Sequence, residues 1–167
     1  MQENTALDIL KSAMLLEMRG KAFYENTALQ TVNPDIKKFF ETMAEEESLH
    51  IRMLSDQYQA YKNSGRFKTV VYDDAAVGGV ASVVLNAVLK EKIQSAGYES
   101  AAIQAAMAME ERAVKLYTER ARNTSDPEEK RLYEWLSDWE SGHLKVLMGM
   151  DSALTEKIWH DNRFWPF

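Results

Sequence analysis

Two short motifs in this sequence pair a carboxylate with an imidazole: Glu47-x-x-His50 and Glu140-x-x-His143. On a helix, residues three apart lie on one face, with Cβ atoms about 5–6 Å from each other. Each pair can therefore grip one metal ion. Two further glutamates stand at matched distances upstream, since Glu17 precedes Glu47, and Glu110 precedes Glu140, by 30 residues. A lone Glu-x-x-His on a helix is usually part of a solvated face; two copies, each with its own distant glutamate, favour ligation. Four carboxylates buried together must protonate or hold cations. Two divalent cations would balance them. Mixed oxygen and imidazole donors suit iron and manganese, and zinc is compatible.

The pairing belongs to a longer internal repeat. With the chain shifted by 93 residues, Ala13, Met14, Glu17, Arg19, Tyr24, Ala28 and Thr31 fall on Ala106, Met107, Glu110, Arg112, Tyr117, Ala121 and Thr124. Pro34, Lys37, Glu41, Glu47, Ser48, His50 and Leu54 fall on Pro127, Lys130, Glu134, Glu140, Ser141, His143 and Leu147, making 14 identities across the 42 positions from 13 to 54. The chain reads as two helical hairpins of common design.

The elements that must position these residues are long helices. Apolar residues at Leu7, Leu10, Met14, Ala22 and Leu29 mark a first helix, A, over 5–31. Asn33-Pro34 ends it and starts helix B, over about 34–63, with Asn33 as N-cap and Pro34 at the first helical position. Helix C spans about 98–123. Asp126-Pro127-Glu128-Glu129 starts helix D, over about 127–150, with Glu129 placed to close a capping box. The A–B turn lies near Val32, with Glu17 15 residues before it and Glu47 15 after. At about 1.5 Å per residue both stand about 22 Å from the turn. Glu110 and Glu140 stand likewise about Ser125. All six donors are thus expected at one level near mid-bundle, the set that di-iron and di-manganese carboxylate bundles use.

Short turns make A antiparallel to B, and C antiparallel to D. Residues 64–97 form a connection long enough to run the length of the bundle, which an up-down-up-down arrangement would not need. The expected fold is all-α: a ferritin-like four-helix bundle with a long B–C crossover, B and C parallel, in one domain over 1–167. Within the crossover, Thr69–Tyr72 reads as extended and Ala81–Ile93 as a short helix. Residues 151–167, rich in aromatics, form a short C-terminal helix or tail.

The repeat also separates ligands from bystanders. Glu46 aligns with Trp139, and Glu111 with Met18, so both read as solvent-facing charges. Glu41 and Glu134 read as surface residues, and His160 as a tail residue. Tyr24 and Tyr117 each follow a ligand glutamate by seven residues, on the same inward face. Their hydroxyls can hydrogen-bond a ligand carboxylate or pass an electron, or they are ordinary core aromatics; the spacing fits both readings. Gly20 and Ala113 are small and leave room beside the metals, or serve close helix packing. Trp135 and Trp139 read as core or interface.

Composition narrows the class. The 167 residues carry no cysteine, which excludes disulfides, iron–sulfur clusters and cysteine-ligated zinc or iron. That fits the reducing cytosol, and a cytoplasmic protein is expected. The net charge of −6, with no basic run, argues against nucleic-acid binding. The N-terminus lacks a signal pattern, and the weakly polar stretch Ala75–Leu89 falls short of the roughly 20 residues a membrane span needs.

Leu16-Glu17-Met18-Arg19-Gly20-Lys21-Ala22-Phe23-Tyr24 and Met43-Ala44-Glu45-Glu46-Glu47-Ser48-Leu49-His50 resemble the rubrerythrin branch of the ferritin-like superfamily. Ala108-Met109-Glu110 through Tyr117, and Glu140-Ser141-Gly142-His143, complete the resemblance, which covers roughly 13–55 and 106–148. It implies two iron ions bridged by Glu47 and Glu140, with Glu17 and Glu110 terminal and His50 and His143 taking one metal each. It also implies reaction of the reduced centre with peroxide or dioxygen, or oxidation of ferrous iron. Two features depart from the family pattern. No cysteine-ligated iron domain is encoded, so an electron-donor protein would be external. Ala113 stands where rubrerythrins carry an extra glutamate, which makes the site more symmetric, as in bacterioferritin-like centres.

Three functions follow as expectations: a di-iron oxidoreductase reducing peroxide or dioxygen, a ferroxidase feeding iron storage, or a metal-stabilised structural bundle. The aromatic tail and amphipathic helices are compatible with a homodimer or a monomer.

Overall fold

The computed structural model describes residues 5–72 and 98–162. Four α-helices account for most of them: α1 (Ala6–Gln30), α2 (Pro34–Ser64), α3 (Tyr98–Asn123) and α4 (Pro127–Asn162). Their starts follow from side-chain chemistry. Asn33 Oδ1 accepts from the backbone amides of Asp35 and Ile36 at 2.9 and 3.3 Å. Asp126 Oδ1 accepts from those of Glu128 and Glu129 at 2.8 and 3.1 Å. Both caps satisfy amides that a helix start leaves without partners, and a proline follows each. Glu129 does not close the expected capping box. Its buried carboxylate instead takes Arg120 Nε at 2.7 Å and the Thr124 hydroxyl, fastening the last turn of α3 to the first of α4. Gly65 ends α2 at φ 69°, where a side chain would be strained.

The helix directions follow from contacts between the hairpins. Tyr24 of α1 bonds Glu110 of α3, while Glu17, earlier in α1, bonds Tyr117, later in α3. The two helices are therefore antiparallel. Each hairpin is antiparallel by its short turn, so α2 and α3 run the same way. This is the ferritin-like crossover arrangement.

Two apolar clusters fill the bundle. One gathers Tyr24, Ile36, Phe39, Phe40, Met43, Ile103 and Leu154 toward the α1–α2 turn. The other gathers Leu10, Leu54, Leu132, Tyr133, Leu136 and Trp139 toward the opposite end. Burying one such large side chain stabilises the fold by about 1.5–3 kcal/mol. The six candidate donors lie between the two clusters.

Two features of the helices differ from the sequence reading. Leu29 is 76% exposed. The buried stripe of α1 instead runs Leu10, Ala13, Glu17, Gly20, Tyr24, Thr27 and Ala28, so it passes through polar and small residues that an apolar pattern misses. Helix α4 does not end near 150 but continues to Asn162, because no glycine or proline interrupts Asp151–Asn162 and Met150 and Leu154 pack into the core. Residues 163–167, the segment Ala81–Ile93 and the His160 side chain lie outside what is described.

Beyond Gly65 the described part of the crossover, residues 66–72, forms neither helix nor strand and is fastened in part by a buried side chain of α2. Gln57, buried in α2, donates from Nε2 to the Lys68 carbonyl at 2.9 Å and accepts at Oε1 from the Lys68 amide at 2.8 Å. Its Nε2 also donates to the Tyr72 hydroxyl at 3.2 Å. Phe67 packs on Tyr61, and Tyr72 stacks on Trp135 of α4 with centroids 5.2 Å apart. Gln57→Ala would remove both hydrogen bonds to the Lys68 backbone, at about 0.5–1.5 kcal/mol each. Urea denaturation of this variant should show a total loss of about 1–3 kcal/mol, and an unchanged midpoint would rule out the clamp.

Candidate metal centre

Each helix contributes one buried glutamate to a common layer. Glu17, Glu47, Glu110 and Glu140 are at most 3% exposed, as are His50 and His143. The two imidazoles present Nδ1 to the carboxylates. His50 Nδ1 stands 2.8 Å from Glu140 Oε1, 3.1 Å from Glu17 Oε2 and 3.5 Å from Glu47 Oε2. His143 Nδ1 stands 3.1 Å from Glu140 Oε2 and 3.7 Å from Glu110 Oε1. Two overlapping groups result, Glu17–Glu47–His50–Glu140 and Glu47–Glu110–Glu140–His143, each with its donor atoms within 4.8 Å of one another. Glu47 and Glu140 belong to both. All six residues singled out from the sequence thus meet in one layer.

The tyrosines meet the same layer. The Tyr24 hydroxyl donates to Glu110 Oε1 and the Tyr117 hydroxyl to Glu17 Oε1. Each bond joins one hairpin to the other. Burial, and then the neighbouring carboxylates, hold both phenols protonated well above their ordinary range, so they act as donors. Gly20 and Ala113 line a pocket between α1 and α3 with Leu16, Met109 and the four glutamates. A Cβ at Gly20 would lie 3.3 Å from Glu47 Oε1, so a side chain there would press on that carboxylate.

Glu46 departs from expectation. It is buried, not solvent-facing: its Oε2 lies 2.5 Å from His143 Nε2 and accepts from Trp139 Nε1 at 3.0 Å. A run of three glutamates hides this, because only geometry tells that Glu45 points out while Glu46 and Glu47 point in. The remaining bystanders, Glu111 and Glu134, are exposed, and Glu41 is half-buried. Trp135 and Trp139 lie in the core, with rings nearly perpendicular to His50 at 5.8 and 5.2 Å.

The layer binds protons in the absence of cations. Burial raises Glu110 to about 8, and the Glu140 charge adds to it. Burial and the charges of Glu140 and Glu17 push Glu47 well above the carboxylate range. For the imidazoles burial acts downward, but Glu140 and its neighbours outweigh it and both rise. Glu140 is the counterpart: burial raises it, and the two imidazoles carry it well below its usual value. The sign for stability follows from linkage. Glu110 and Glu47 contribute stability that is complete below their unfolded value of 4.5, and that of Glu110 is lost as pH rises through about 8. The imidazoles, raised above 6.5, act in the same direction. Glu140 acts oppositely, losing its contribution on acidification below 4.5. The chelator-treated protein should therefore lose thermal stability progressively from about pH 5 to about pH 8. A melting temperature flat across that range would contradict the proton-holding layer.

Comparisons agree with this geometry. The sequence model of the rubrerythrin family matches residues 8–150. A hypothetical protein from Pyrococcus furiosus shares the fold, with a TM-score of 0.66 and 24% identity over 92% of each chain. No curated protein shows significant similarity to the chain. The match spans all six inward donors and both hairpins, and the chain belongs to the rubrerythrin family.

Proposed function

We propose that this chain is a di-iron oxidoreductase that reduces peroxide or dioxygen, with electrons from ferrous iron or an external donor protein. The observation that carries the reading is the pair of four-donor groups sharing Glu47 and Glu140. The donors also fit the ions chemically. Three buried carboxylate oxygens, Glu140 Oε1, Glu17 Oε2 and Glu47 Oε2, crowd the single nitrogen His50 Nδ1 at 2.8, 3.1 and 3.5 Å, an arrangement costly without a cation. Four carboxylates match two divalent charges, and the donor types suit iron, with manganese or zinc compatible.

In this reading Glu17, Glu47, His50 and Glu140 would hold one ion, and Glu47, Glu110, Glu140 and His143 the other. The bound ions would supply the electron transfer and polarise the oxidant. The chain itself does the rest. Tyr117 holds Glu17 and Tyr24 holds Glu110, fixing the terminal carboxylates from the opposite hairpin. Gly20 and Ala113 keep the α1–α3 seam free of bulky side chains beside the layer. The apolar clusters on both sides exclude water.

Three measurements test this. Glu47→Ala should lower the metal content from two ions to one or none by elemental analysis, while the exposed Glu45→Ala retains both. Equal contents would defeat the assignment. Metal uptake should release protons from Glu47, Glu110 and the imidazoles, so affinity should rise as pH increases through about 8; a pH-stat titration with no proton release would contradict it. Peroxide added to the reduced protein in the presence of an excess chemical reductant should be converted to water over many cycles, two electrons drawn from the reductant per peroxide, with the bound iron retained. Retention of many irons per chain would instead favour the ferroxidase reading, and zinc in the site with no reaction a structural role.

A further inference from the structure

The two halves of the layer differ behind the imidazoles, although their inner faces match. His143 turns Nε2 outward to Glu46, 2.5 Å away. His50 turns Nε2 outward to no hydrogen-bond partner among the described residues, although the atom is buried. The 93-residue offset explains the difference in residue terms. The position that holds Glu46 in α2 holds Trp139 in α4, and Thr42 is likewise matched by Trp135. Where His143 meets a carboxylate, His50 meets two indole rings set at 89° and 83° to it. An indole nitrogen only donates, so Trp139 cannot accept from His50. Its N–H instead faces the His143–Glu46 pair, 3.0 Å from Glu46 Oε2 and 3.1 Å from His143 Nε2, which steadies the carboxylate behind His143.

A metal-ligating imidazole whose outer N–H is held by a carboxylate is fixed in tautomer and orientation and is more basic; loss of such a partner typically weakens metal affinity by roughly 10–100-fold. From this we infer that the two metal positions are unequal: the Glu110–His143 position is the tighter, and the Glu17–His50 position is the one that exchanges. The inference rests on the metal reading above. Glu46 is a positioning residue, acting through His143, and Trp139 acts through Glu46.

The test isolates each position. Glu17→Ala leaves the His143 position with its terminal carboxylate, and Glu110→Ala leaves the His50 position with its own. Each variant also removes one tyrosine–glutamate bond, so the losses are matched. Cobalt(II) is titrated into each metal-free protein and bound metal is measured by equilibrium dialysis, with circular dichroism confirming the fold. Glu17→Ala should bind cobalt(II) roughly 10–100-fold more tightly than Glu110→Ala. Adding Glu46→Gln should erase most of that advantage in the Glu17→Ala background and leave Glu110→Ala unchanged. Should Glu46→Gln fail to fold, Trp139→Phe removes the N–H that steadies Glu46 and should weaken the same background selectively. Equal affinities of the two single variants, or equal weakening of both backgrounds by Glu46→Gln, would overturn the inequality while leaving the metal reading intact. Failure of the unsubstituted protein to bind cobalt(II) would overturn both.

Discussion

Four carboxylates and two imidazoles packed into one dry layer constrain everything around them. Charges of this density do not tolerate a low-dielectric interior unless they are paired, protonated or shared with a cation. The structure meets the constraint by mutual compensation. Glu140 lies between the two imidazoles, and each terminal glutamate takes a phenol hydroxyl. The apolar clusters on either side supply the burial that offsets the cost of the layer and keep water from relaxing it. The size of the core and the character of the site are therefore one problem.

The same constraint accounts for the small residues at the α1–α3 seam. A helix pair packed tightly throughout would leave no space beside the carboxylates, and Gly20 already sits where a methyl group would touch Glu47. The family membership fits a site of this kind.

Much of this was legible in the sequence, because the repeat compared each position with its counterpart. Glu17, Glu47, His50, Glu110, Glu140 and His143 stood out as residues kept at equal spacing, and the two Pro-containing turns set the hairpins and their level. What escaped the reading has physical causes. Glu46 was misplaced because its counterpart is Trp139, and a comparison of halves cannot see a residue that works across them. The tyrosines stayed ambiguous since seven-residue spacing sets a face but not a partner; the partner lies on the other hairpin. Leu29 misled because hydrophobic periodicity at a helix end carries no information on what lies opposite. The reach of α4 to Asn162 was missed because an aromatic, charged segment looks like a tail until a core offers Leu154 a place.

The tyrosine–glutamate bonds between hairpins carry one more consequence. Neither hairpin owns a complete donor set: each four-residue group draws on both. An ion that needs all its donors would recognise only the docked form, so occupancy and docking would become a single thermodynamic variable, and free ion would stabilise the assembled chain by mass action. Any influence that pries α1 from α3 would then be felt as a change in ion retention, and ion supply in turn would set how firmly the two hairpins stay latched.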